Sequence, residues 1–235
     1  MLHFKNLVLL LLLAGAPFSL AAQDCFGYVL SEEGARATYA MQDHKGKPNG
    51  EMTWTVEDIT ATDEGWLITL GMSFKDKKGE TLDAPVASQR ILCTGSDVRM
   101  DIDVGALAEA FADNPEVEIT MEGDKMVLPN ELKENMTLPD AQMTTIVKMS
   151  GMTLVNATVR LTDRTVLGKE QVTTPAGTFD CFKITQTTET KAGLAGTRRT
   201  ATVSWVAKGI GMVKSEDYDH RGRLTSKSEL IELVR

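Results

Sequence analysis

The feature that most constrains the fold is a period of two. Between glycine-bearing turns the chain repeatedly alternates apolar and polar residues, as in MTWTVEDI (52–59), GWLITLGMSF (65–74), MTLVNATVRL (152–161) and ATVSWVA (201–207). Successive side chains on an extended strand point to opposite faces, so such runs describe strands with one dry face and one wet face. In the third run Thr153, Val155, Ala157, Val159 and Leu161 share one face, while Asn156, Thr158, Arg160 and Thr162 share the other. The regular helices that parallel βαβ units need are missing between the strands, which leaves antiparallel meanders.

The turns carry as much information as the strands. Asp43-His44-Lys45-Gly46, Asp76-Lys77-Lys78-Gly79 and Asp219-His220-Arg221-Gly222 all place Asp first and Gly fourth. An aspartate there accepts backbone N–H groups, and a glycine takes the positive φ that closes the hairpin. Thr174-Pro175-Ala176-Gly177 reads as a further tight turn, with Pro175 and Gly177 shaping entry into a strand. That strand carries Phe179 and Cys181 on one face, and Asp180, Phe182 and Ile184 on the other. Residues 141–149 read as a strand, 117–128 (VEITM, GDK, MVL) as a hairpin, and Val166 to Thr173 as a separate short strand. Ala106 to Ala112 has the composition of a short helix ending before Asn114-Pro115. The expected fold is mainly β: an extended curved antiparallel sheet or open β-barrel with a short helix.

Lys5 precedes the apolar run LVLLLLLAGAPFSLAA, which Pro17 breaks shortly before small residues. This is the pattern of a signal peptide over residues 1–22, cleaved after Ala22 or Ala21. The run is too short for a membrane span, which needs roughly 20 apolar residues, and no later run approaches that length, so no transmembrane span is expected in the mature chain. Residues 23–235 are then one mainly-β domain. Cys25 follows Ala22-Gln23-Asp24, a poor match to a lipobox, so the reading is an exported periplasmic or cell-envelope protein, soluble rather than lipid-anchored. A net charge of -8 disfavours nucleic acid as a partner.

All three cysteines lie beyond the signal, and an oxidising compartment favours disulfides. Cys25 with Cys93 is the favoured pair and leaves Cys181 as a small buried hydrophobe; pairing through Cys181, or no disulfide, stays open. The chain lacks a G-x-S-x-G elbow, a Walker A loop, an HExxH pair and a CxxC pair. A nucleophilic Cys181 would need an activating histidine. His44 and His220 sit at turn tips, where backbone geometry already explains them; a metal pair with Asp43 or Asp219 would require the two hairpins to adjoin. The methionines at 121, 126, 136, 143, 149 and 152 raise the question of copper, but without a coordinating histidine or a compact repeat they fit the lining of an apolar core or cavity better. No catalytic residue, metal or cofactor is expected.

GKEQVTTPAGTFDCFKI (168–184) and WVAKGIGMVKSEDYDHRGRLTSKSEL (205–230) together resemble the DUF3108-like, or TapB-like, exported bacterial proteins, members from Bacteroidetes above all. The early segment GARATYAMQDHKGKPNGEMTWTVEDI and the region of Cys93 are similar to that family as well. Its marks here are Pro175, Gly177, Phe179, Trp205, Gly209, Gly211, Glu216 and Gly222. The resemblance implies a predominantly antiparallel β protein with the open-barrel character of envelope lipoprotein carriers, and it carries no catalytic residues. The leading expectation is a noncatalytic envelope protein that binds an apolar or lipid-like molecule on a concave sheet. Its candidate ligand-binding residues are Trp54, Trp66, Phe111, Met143, Val155 and Trp205. A structural or protein-interaction module, its sheet filled by its own side chains and partnered by another envelope protein, competes with it. A hydrolase assembled from distant carboxylates or the two histidines is the third reading.

Overall fold

The computed structural model describes residues 27–82, 88–103, 116–192 and 196–235. Thirteen strands run in chain order as β1 (Arg36–Asp43), β2 (Pro48–Thr62), β3 (Gly65–Lys75), β4 (Ser88–Cys93), β5 (Asp97–Asp103), β6 (Val117–Gly123) and β7 (Met126–Pro129). They continue as β8 (Ala141–Met149), β9 (Met152–Thr174), β10 (Gly177–Ala192), β11 (Thr197–Ala207), β12 (Gly211–Asp219) and β13 (Leu224–Val234). All belong to one antiparallel sheet ordered β6-β8-β9-β10-β11-β12-β13-β1-β2-β3-β4-β5-β7. The expected mainly-β, open antiparallel sheet is therefore what forms. The helix expected over Ala106 to Ala112 lies outside the described residues, and no helix occurs among those described.

The three Asp-x-x-Gly turns form as their chemistry dictates. Gly46, Gly79 and Gly222 have φ of 75°, 84° and 73°, and each donates its N–H to the carbonyl of the turn's aspartate. Each aspartate Oδ1 also accepts two further backbone N–H groups, from residues two and four positions on. Backbone donation from Lys47 holds the Asp43 carboxyl below the ordinary carboxylate range. Hydrogen bonding from the Arg223 side chain, then from its backbone, does the same at Asp219. A carboxylate depressed in the fold stabilises it above the unfolded pKa of about 3.9, and that contribution is lost as pH falls through the folded value. The melting temperature should thus decline on acidification below about pH 4. Asp219→Asn, which keeps an accepting oxygen but cannot titrate, should show a shallower decline; an unchanged slope would remove the turn from the cause.

Two expectations need correction. Residues 117–128 are not a hairpin, because β6 pairs with β8 while β7 pairs with β5 at the opposite edge of the sheet. Gly123 does not turn the chain. It passes so close to β8 that a side chain would collide with the Gln142 carbonyl, and Asp124 N–H still donates to that carbonyl at 2.7 Å. The chain continues into β7 and changes partners. No ladder joins β6 to β7, so the sheet stays open; yet Asp124 and Lys125 alone link its two edges, and three Cα steps hold Gly123 and Met126 within roughly 11 Å. A sheet whose edges are tied this closely has to curl.

The second correction concerns β9, which is one strand of 23 residues rather than two segments. It stays continuous because β-bulges absorb its irregularities. Thr185 pairs with Thr165 and Thr187 with Thr162, so Gln186 faces both Asp163 and Arg164. Lys183 pairs with Gly168 and Ile184 with Val166, which leaves Leu167 unpaired. Bulges bend a strand and increase its twist without ending it. Between the chain's first and last strands, β1 and β13 pair from Arg36↔Val234 to Asp43↔Ser226. The core is continuous across that seam: Leu230 and Ala37 are fully enclosed, together with Ile68, Val56 and Val213. A second buried group gathers Leu138, Val166, Phe182 and Tyr28.

Candidate functional site: the interior of the curled sheet

The inner face carries two adjoining apolar cavities, each partly open to solvent. The first, about 250 Å³, is lined from both halves of the sheet, by Tyr39, Met52, Trp54 and Leu70 on one side and Ile184, Val206 and Met212 on the other. Tyr28, Val29 and Leu30, just before β1, close part of its wall. The second, about 290 Å³, lies at the seam where β6 hands over to β7, and Met100, Met121, Met126 and Met143 line it with Val159 and Leu161. Gln89, Met100 and Met126 line both cavities, so these side chains lie where the two adjoin. Methionine is unbranched and flexible, which lets such a partition reshape around an occupant.

Period two decides what reaches this interior. On β2, Met52 and Trp54 point in; on β11, Ser204 and Val206 point in, which turns Trp205 to the opposite face. Tyr39 is wholly buried and donates its hydroxyl proton to the Met212 carbonyl at 2.8 Å; burial pushes its pKa well up, so it stays a neutral donor. Tyr28 is pushed up to about 12, by burial first and then by the charge of Glu131.

The structure separates the residues singled out from sequence. Trp54 lines the first cavity and Met143 the second. Trp66 is half-buried against the core, opposite Cys93 in the β3–β4 register. Val155 is 44% exposed near the β8–β9 hairpin end. Trp205 is buried on the outer face. There its indole N–H donates to the Glu170 carboxylate while the Lys183 and Lys214 ammonium groups sit 5.0 and 4.4 Å from its ring centroid, an arrangement in which cation–π attraction and ion pairing reinforce each other. Phe111 lies outside the described residues.

The turn at Thr174 to Gly177 is a two-residue hairpin connection, with the Ala176 N–H donating to Thr174 Oγ1. Phe179 packs against the core beyond it, and Cys181 is a buried free thiol. Burial, and then the charges of Asp180 and Glu170, push that thiol up to about 11, so the thiolate a nucleophile needs is suppressed. Folding both buries Cys181 and suppresses its thiolate, and unfolding should reverse both. A thiol reagent at pH 8 should label it slowly in the native protein and rapidly in denaturant; equal rates would contradict its burial.

Cys93, also buried, is disulfide-bonded, and Cys25 lies outside the described residues. The pairing of β13 with β1 does place the turns of His44 and His220 at the same rim. Among the described residues, however, no group of three His, Cys, Asp or Glu side chains is arranged to hold a metal.

Sequence reasoning missed Arg164, which is 3% exposed and lines the first cavity. Its signal is legible once the facing of β9 is known. Inward residues on β9 are odd-numbered at Val159 and Leu161 but even-numbered at Val166, and such a parity change requires an extra residue between them.

No helix among the described residues is long and apolar enough to cross a membrane. No curated protein matches the sequence. Among solved structures, the chain is similar to a Bacteroides fragilis protein described as exported and as having a YmcC-like fold. The two are 24% identical with a TM-score of 0.68, over 90% of this chain and 100% of that one. It is similar also to a Parabacteroides distasonis protein described as a lipoprotein, at 21% identity and a TM-score of 0.69, over the same shares of the two chains. These likenesses establish the fold. The DUF3108-like family model matches residues 32–230, and the chain belongs to that family.

Proposed function

We propose that this is an exported cell-envelope protein whose curled sheet carries an apolar or lipid-like molecule in its interior. The observation that carries the reading is the pair of adjoining cavities, about 250 and 290 Å³, walled by methionine, aromatic and aliphatic side chains with few polar groups among them. Ligand sites are commonly concave and mostly apolar, with a small number of placed polar groups. Export rests on the signal-like residues 1–22 and agrees with relatives described as exported or as lipoproteins.

The same compartment supports a disulfide from Cys93 to Cys25, since Cys181 is free and the chain has three cysteines. Native mass spectrometry of detergent-free protein, after incubation with an envelope lipid extract, tests the carrier reading. Adducts that organic extraction releases as small apolar molecules support it; protein that stays ligand-free overturns it. One observation favours the competing interaction module: Met152, Leu154 and Val155 are exposed near the β8–β9 hairpin end, Met152 at 66%. That module would show ligand-free protein together with partner capture lost in Met152→Ser.

A further inference from the structure

Strict alternation along β9 would put residue 163 inside and Arg164 outside, since Val159 and Leu161 line the second cavity. The bulge opposite Gln186 inserts one residue, with Asp163 at a φ of 52°, and so turns Arg164 inward. Bulges are a recurrent means of re-aiming one side chain from an otherwise regular strand. The consequence is a guanidinium set into the wall of an apolar cavity. Its Nη1 donates to the carbonyls of Val127 at 3.2 Å and Pro139 at 2.5 Å. Its Nε is enclosed without any hydrogen-bond partner, and among the described residues its Nη2 has no hydrogen bond either.

Arginine stays protonated in proteins and presents its donors as a planar fork suited to carboxylate or phosphate. Burial disfavours its charge, and Asp140 is the acid that offsets this electrostatically. Among the described residues no carboxylate comes within ion-pair distance of it. A buried charge with unused donors is costly unless something answers it. The carbonyls satisfy one nitrogen and leave the others, and the remaining polar groups of that cavity include Gln186 and Ser204, both neutral.

We propose that Arg164 anchors the anionic head of a long-chain amphiphile, a carboxylate or phosphate, whose apolar chain lies along the methionine-lined cavity. This rests on the reading of the interior as a ligand site. The head would answer the unused donors, and Met100 and Met126 would yield to admit the chain past them.

The test compares laurate, dodecyl phosphate and dodecanol by isothermal titration against the full mature protein, with inorganic phosphate as a headgroup control. The expected result is that an anionic head binds roughly ten- to a hundredfold more tightly than dodecanol, the range of a charge-assisted hydrogen bond. The preference between laurate and the phosphate identifies the head, and phosphate alone should bind weakly. Arg164→Met should bind all three amphiphiles alike, and Arg164→Lys should keep part of the preference. Dodecanol binding as tightly as both anions, or an Arg164→Met protein that keeps the preference, would overturn the anchor while leaving the apolar site standing. No binding by any amphiphile would overturn both readings. Because wild-type protein alone gives the head-group comparison, a misfolded variant does not spare the proposal.

Discussion

Leu230→Ala should lower the unfolding free energy by about 2–5 kcal/mol, the cost of removing a fully enclosed leucine and leaving a cavity. Leu230 lies on β13 opposite Tyr39 of β1, so it packs where the last strand closes against the first. Neighbours on both strands are fixed by ladders on either side, since β13 also pairs with β12 and β1 with β2. They cannot collapse freely into the vacated space, and the penalty should fall toward the upper part of that range. Leu82→Ala is the control: that leucine is half exposed, and such substitutions usually change stability by no more than about 0.5 kcal/mol. Urea midpoints at constant slope measure both. Equal, small effects would mean that the β1–β13 seam is not part of the cooperative core.

Reducing the disulfide should produce the second large effect. On the proposed pairing with Cys25, the crosslink to Cys93 would join the segment before β1 to β4, and removing a native disulfide from a small secreted domain typically costs about 2–5 kcal/mol. Cys93 is buried beside Trp66 and Val98, so its thiol form also loses packing restraint. Melting with and without reductant should differ by several degrees or more, and Cys181→Ala should leave that difference intact. Thiol counting in denaturant without reductant should find one reactive cysteine of the three. Three reactive thiols would reject the pairing, and a reductant-sensitive dimer would place the bond between chains.

The local signals that were legible are those with a local cause. Asp and Gly at fixed positions specify three hairpins because the hydrogen bonds they make lie within five residues. The strand at Ala141–Met149 likewise follows from its own pattern. Gly123-Asp124-Lys125 reads as a turn by the same rules and is not one. What decides there is the approach of β6 to the β8 backbone and the partners waiting at the two edges, neither of which is written in those three residues. The β9 bulges fall between these cases. Asp163 tolerates positive φ better than most residues, and the parity change from Leu161 to Val166 marks an insertion, but only the opposing strand shows which residue it turns inward.

The same division holds at the site. Trp54 and Met143 line the two cavities, whereas Trp205, expected on the inner face, points away from them, and lysines and Glu170 from β10, β12 and β9 lie across it. A large aromatic can be buried on the outer face when long charged side chains lie across it.

The most direct test of an apolar carrier is whether filling the cavity abolishes binding. Ser204 lines the first cavity and is small, so Ser204→Phe would occupy part of that space without altering the outer face. Titration of a fluorescent apolar probe, N-phenyl-1-naphthylamine, should give saturable binding to the wild type that laurate displaces. Ser204→Phe, at an unchanged melting temperature, should lose it. Probe binding by that folded variant at wild-type affinity, or no saturable binding by the wild type, would contradict an interior ligand site.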